Sequence, residues 1–239
     1  MRITDRETLF KTIVKEYKEI FGEKLVSIDV YGSAVTEDFH LKYSDINIAI
    51  ILTDLQPETL ILSQKVVRAL KKKRVVTPLF LTKEYILESL DTFPIEFLTI
   101  KSAHKTIFGE DFFSSLKIES NYLRLQAERE LKGKLLILRL ALLENSGNSR
   151  ILLNIVVTSL ASFVPVLRAI LVIKNEEVPK RTYDIIQKAD AIIKIDLSLF
   201  YTALKIKNHQ LKLKGEDFVT FFENYIHVVD NLAAFVDKL

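Results

Sequence analysis

The chain has 239 residues, 49% of them hydrophobic and 27% charged, with a formal net charge of +3 and no cysteine. Such a composition excludes a disordered or fibrous chain and gives enough apolar material for one large domain or two modest ones. The missing cysteines exclude disulfides and thiolate metal sites, and the mildly basic balance admits an anionic ligand without demanding nucleic acid, which calls for a concentrated basic face.

Residues 1–7 show no apolar leader behind their charges, so the expected location is the cytoplasm. Thr4 and Glu7 read as a capping box. Leu9, Ile13, Val14, Tyr17, Ile20 and Phe21 follow at helical spacing, and Gly22 stops that helix. Val26, Ile28 and Val30 alternate through a strand over 25–31, and Gly32-Ser33 turns the chain. A second strand over 46–52 is apolar almost throughout, as a strand buried on both faces should be.

Pro57 opens a helix expected to reach about Lys72. A short strand is expected over 74–81, then a helix capped by Thr82, then a third clear strand over 95–100. Strands alternating with helices predict an α/β domain over residues 1–115. From 116 to 239 no strand pattern remains. Leu131, Leu135, Leu138 and Leu142 form a stripe, 145–149 is a polar break, and helices are expected over 150–173, 179–194, 196–210 and 216–238. Short loops between them predict an antiparallel bundle. The run 151–173 has the length of a membrane span. Asn154, Ser162, Pro165 and Arg168 interrupt it, and it reads as a buried bundle helix kinked at Pro165, with no membrane partner.

Three elements carry chemistry: Gly32-Ser33, then Asp45-Ile46-Asn47 eleven residues on, then Glu96. Moving a nucleotidyl group onto a hydroxyl needs the triphosphate neutralised and the attacking and leaving oxygens aligned, and two divalent ions about 4 Å apart do both. Mg²⁺ takes oxygen ligands, so carboxylates must converge. Positions 45 and 47 share a face of one strand, and Glu96 on a neighbouring strand would complete the set, with Asp91 as the other candidate for the third acid.

This pattern resembles the nucleotidyltransferase superfamily, of the polymerase-beta and kanamycin nucleotidyltransferase type, over residues 24–101. The matching text is Val30-Tyr31-Gly32-Ser33, Ser44-Asp45-Ile46-Asn47-Ile48 and Ile95-Glu96-Phe97. The resemblance implies an α/β (α+β) nucleotidyltransferase domain with a mixed sheet, followed by an all-α helical bundle. It implies Mg²⁺, as two ions, and ATP or another nucleoside triphosphate, with AMP passing to a hydroxyl of an acceptor the sequence does not name. Asp45 would bridge both ions, Glu96 would bind one and act as base, and Gly32 and Ser33 would hold the β- and γ-phosphates at a helix N-terminus. Asn47 departs from the pattern, because the family has a carboxylate there and an amide oxygen carries no charge. The alternative is therefore a degenerate fold that binds nucleotide or protein without turnover.

His40 reads as a solvated loop residue and His104 as a helix-surface one, while His209 and His227 lie in the bundle without a metal-ligand spacing. Lys71-Lys72-Lys73-Arg74 reads as a solvated helix end. Lys205, Lys207, Lys212 and Lys214 lack aromatic interleaving for a nucleic acid. The apolar stripe from Phe218 to Phe235 reads as packing on neighbouring helices, with a homodimer interface as the other reading.

Overall fold

The computed structural model describes residues 6–39, 44–145, 148–208, 210–213 and 215–239. Thr4, His40, His209 and Lys214 therefore lie outside the described residues. The chain divides into two compact units, one of residues 1–91 with 97–117 and one of 92–96 with 118–239. The first is an α/β domain and the second has helices and no strand among its described residues.

In the first unit, α1 (Arg6–Phe21) precedes β1 (Leu25–Tyr31). Gly22 sits between them at φ +51°, as a C′ glycine should. β2 (Asn47–Leu52) follows, then α2 (Pro57–Leu62), α3 (Gln64–Lys71), β3 (Leu79–Leu81), α4 (Lys83–Glu88), α5 (Pro94–Ser102) and β4 (His104–Gly109). The strands form one mixed sheet in the order β3-β2-β1-β4. β1 runs antiparallel to both β2 and β4, while β2 and β3 are parallel.

The period-two pattern gives each face of the sheet its own task. Ile28, Val30, Ile48, Ile50 and Leu52 pack with Leu9, Ile13, Tyr17 and Phe21 of α1 in one buried cluster. Each such side chain stabilises the fold by roughly 1.5–3 kcal/mol. The opposite parity of β1 carries Ser27, Asp29 and Tyr31, and the first two are fully buried.

Three sequence expectations change here. Residues 95–100 are not a strand but the body of α5. Pro94 is pre-organised for a first helical turn, and Ile95, Phe97, Leu98 and Ile100 are buried while Glu96 is exposed. A short apolar run does not by itself distinguish a strand from a helix. The strand was instead at His104–Gly109, an edge strand with few apolar positions. The helix expected over 57–72 is two helices meeting at Ser63, whose hydroxyl donates to the Leu60 carbonyl at 2.7 Å. The strand expected over 74–81 shrinks to Leu79–Leu81, with an isolated bridge between Val75 and Ile46.

The second unit holds α6 (Ser120–Asn145), α7 (Ser149–Ile173), α8 (Thr182–Ile193), α9 (Ser198–Lys207) and α10 (Gly215–Val236). α7 is the long apolar helix, with a mean hydropathy of 2.2 over its most apolar stretch. It runs through Pro165 as one helix, and Leu152, Val156, Leu160, Phe163 and Leu167 form much of the unit's core. Phe163 stacks on Phe200 at 5.6 Å, and Tyr225 of α10 closes on both rings. The stripe on α10 is therefore core, with Phe218, Phe222, Tyr225, Val229 and Leu232 fully buried.

Gly109 ends β4 at φ +78°, and a Cβ there would stand 1.9 Å from the Val26 carbonyl oxygen. Gly109→Ala meets backbone strain and a backbone clash together. Chemical denaturation should show a loss of about 2–4 kcal/mol, and a loss below about 0.5 kcal/mol would contradict this packing.

Candidate functional site

The turn after β1 begins at Gly32, whose φ of +74° favours glycine. A Cβ at Gly32 would also lie 3.2 Å from the Asn47 side-chain nitrogen. Asn47 pairs in register with Tyr31 across the two strands, so the turn and the start of β2 converge. Two expected features differ. Gly32-Ser33 opens a four-residue 3₁₀ turn, Gly32–Val35, rather than a helix. The Gly32 amide, expected to meet phosphate, donates to the Ala103 carbonyl at 2.9 Å. The Ser33 carbonyl accepts from the Thr36 amide at 3.2 Å, and its side chain is half-buried.

Asp45 lies two residues before Asn47. One of its oxygens accepts from Nε and from a terminal nitrogen of Arg74, at 3.1 and 2.9 Å. The backbone sets up this meeting. The Ile46 amide donates to the Arg74 carbonyl, and the Val76 amide donates to the Ile46 carbonyl, each at 2.9 Å. Arg74 takes φ +63°, a left-handed conformation uncommon for a long side chain. The end of the basic run is thus a specific partner of Asp45 and not merely a solvated terminus.

The third expected acid is placed differently from its prediction. Glu96 sits in the first turn of α5. Its carboxylate accepts from the Gln126 side-chain amide at 2.7 Å, and the Gln126 carbonyl oxygen accepts from the Ile95 amide at 2.8 Å. These contacts belong to the helical unit, to which residues 92–96 cluster. The strand neighbouring β2 on its parallel side, Leu79-Phe80-Leu81, has no carboxylate.

On the antiparallel side lies a carboxylate that sequence reasoning passed over. Asp29, in the middle of β1, is fully buried. It accepts from Ser27 at 2.7 Å and from Thr106 at 2.5 Å. Burial pushes its pKa above the ordinary carboxylate value, while the hydroxyl hydrogen bonds from Thr106 and Ser27 and nearby His104 oppose that rise. An acid inside an otherwise apolar strand was the signal that could have found it. His104 is no helix-surface residue either. It begins β4, with Nδ1 3.0 Å from the Ile100 carbonyl and Nε2 2.9 Å from Asp111.

Among the described residues no group of three or more histidine or acidic side chains is placed to hold a metal ion. Of the expected donors, Asp45 and Asn47 lie by the turn, the first a carboxylate already paired with a guanidinium and the second a neutral amide. Two dications need more ligand charge than that, so this donor set does not fit a two-ion centre.

No family model matches the chain, and no curated protein matches it. Solved structures do. Spectinomycin adenyltransferase AAD(9) from Enterococcus faecialis, with ATP and spectinomycin, aligns over 95% of this chain and 100% of its own, at a TM-score of 0.57 and 11% identity. The chain shares the fold of this adenyltransferase. A nucleotidyltransferase-like protein from Exiguobacterium sibiricum aligns over 96% of this chain and 75% of its own, at a TM-score of 0.38 and 14% identity. A complex of the tri-AMPylated Shewanella oneidensis HEPN toxin with its MNT antitoxin aligns over 52% of this chain and 92% of the matched one, at 0.35 and 24%.

Asp29 offers a pH test within this fold. With its folded pKa above the unfolded value of about 3.9, the carboxyl adds stability at acid pH that is lost as pH rises through the folded pKa. Asp29→Asn removes that penalty. It should be at least as stable as the parent at pH 7, with the difference moving in the parent's favour as pH falls towards 4. Parallel stability profiles for the two proteins would show that Asp29 does not titrate this way.

Proposed function

We propose that this protein is a nucleotide-binding member of the nucleotidyltransferase fold in which two-metal nucleotidyl transfer has given way to binding. The observation that carries this reading is Arg74 on Asp45, beside Asn47. Where the fold family places a second carboxylate and cations, this chain supplies a neutral amide and its own guanidinium. A guanidinium is always charged and matches phosphate oxygens with a planar fork of donors. Arg74 therefore takes the place of a metal as counter-charge for the triphosphate of ATP or a related nucleotide. Ser33 adds a hydroxyl at the turn.

A second reading keeps transfer of AMP from Mg·ATP to a hydroxyl acceptor, with Asp45 as its indispensable carboxylate and Glu96 as the candidate base. One observation favours it. The Asp45–Arg74 pair is open to solvent, the two side chains being 57% and 38% exposed. Exposed ion pairs are weak and exchangeable, so a nucleotide-bound ion can compete for Asp45.

Calorimetric titration of ATP separates the two readings. On the binding reading, ATP affinity changes less than about threefold between Mg²⁺ and EDTA and falls about tenfold or more in Arg74→Ala. Asn47→Asp combined with Arg74→Ala then makes binding Mg²⁺-dependent. On the transfer reading, wild type binds ATP only with Mg²⁺, releases pyrophosphate in the presence of an acceptor, and loses both properties in Asp45→Ala. ATP binding in neither condition would overturn both.

A further inference from the structure

Helix α6 has two apolar faces. Leu123, Leu131, Leu135 and Leu138 are buried inside the helical unit. Leu136, Ile137, Leu140 and Leu143 point the other way and are 61%, 60%, 56% and 79% exposed. At 3.6 residues per turn, Leu136, Leu140 and Leu143 share one stripe with Arg129, Gly133 and Glu144, and Ile137 borders it. Four such side chains, at roughly 100 Å² of apolar surface each, present about 400 Å². That is the size of the largest apolar patch on a typical monomer, and such patches are often functional. It is about half of the roughly 800 Å² that each partner gives to a stable interface, before any flanking polar residue is counted.

The order of residues along the stripe says what covers it. The stripe is self-complementary about a point between Leu136 and Ile137. A gap at Gly133 mirrors a projecting Leu140, and a cation at Arg129 mirrors an anion at Glu144. Arg129 and Glu144 are both exposed. They lie fifteen residues apart, about 22 Å at 1.5 Å per residue, so both ends of an antiparallel pair meet opposite charge at once. Gly133 is the telling position. A Cβ there would meet nothing within 4 Å, so the chain's own packing does not require a glycine that weakens the middle of a helix.

We propose that a second copy of this chain packs antiparallel across α6, on a two-fold axis between Leu136 and Ile137. Leu140 of each copy enters the gap over Gly133 of the other, and Arg129 of each meets Glu144 of the other. A two-fold contact requires this reciprocity, residue i touching j and j touching i. A glycine opposite a large side chain lets the helix axes approach to the roughly 8 Å end of the usual range. This face is separate from the stripe on α10, which the bundle core consumes.

Sedimentation velocity of the full chain, run as a concentration series, tests the proposal. Wild type should sediment as a dimer at tens of micromolar, and Leu140→Glu as a monomer with unchanged thermal unfolding. Arg129→Glu and Glu144→Arg should each raise the dissociation constant about tenfold, and the two together should restore it. Restoration is something misfolding cannot mimic, so the charge pair decides the matter if Leu140→Glu folds poorly. A wild type that stays monomeric throughout, a Leu140→Glu protein that stays dimeric, or a double variant no tighter than the singles would overturn it.

Discussion

β1 is hydrogen-bonded along both edges, to β2 and to β4, and its apolar positions are buried against α1. A strand so held cannot slip, because a shift of one residue would turn Ile28 and Val30 out of the α1 core and put Asp29 into it. Everything at the candidate site takes its position from that register. Tyr31 opposite Asn47 brings the asparagine amide over Gly32. Tyr31 opposite His104 lets the chain before β4 fold back until the Ala103 carbonyl takes the Gly32 amide.

The charges around this frame are arranged with unusual economy. A carboxylate at the start of β2 would be unbalanced without a cation, and the parallel bridge at Ile46 draws in the backbone of Arg74, whose side chain supplies one. Lengthening β3 by two residues towards its N-terminus would reach only Thr77 and Pro78. No carboxylate can enter from that side by a change of register. The other strand beside β2 does carry one, but Asp29 is sealed in by Ser27 and Thr106. Its raised pKa records how little water reaches it. Asp45 and Asp29 are thus kept apart, the first neutralised at the surface and the second solvated by hydroxyls within the sheet.

The sequence made the fold class plain for a physical reason. The alternation in 25–31 and the apolar run in 46–52 are long patterns with one structural solution each. Gly32 and Asp45-x-Asn47 could also be placed, since each sits at the end of such a run. The third acid could not. Ile95-Glu96-Phe97-Leu98 fits a strand by alternation and a helix by its i, i+3 contacts, and Pro94 was the local sign that favoured the helix. Arg74 was misread because a basic residue after a helix usually faces water, and its partner lies 29 residues back. Asp29 was overlooked because attention to converging acids on strand ends passes over one buried in a strand's middle. Pairing across a sheet, which set Arg74 beside Asp45 and Thr106 beside Asp29, leaves no periodic trace in the chain.

The two apolar stripes of the helical unit show the same limit from the other side. A run such as Phe218, Phe222, Tyr225, Val229 and Leu232 states that a helix face must be buried but not what buries it. On α10 the neighbouring helices do so, and the stripe is spent within the unit. On α6, 26 residues long, one face is spent in the same way and a second is left over. An apolar face in water is a cost unless it finds a partner. Polar side chains at 136, 140 and 143 would have removed that cost without disturbing Leu131, Leu135 or Leu138. Leucine at those positions, with glycine at 133 and opposite charges at 129 and 144, is the more demanding choice for a lone helix. Only a partner with the complementary order repays it, and the same helix running the other way has that order.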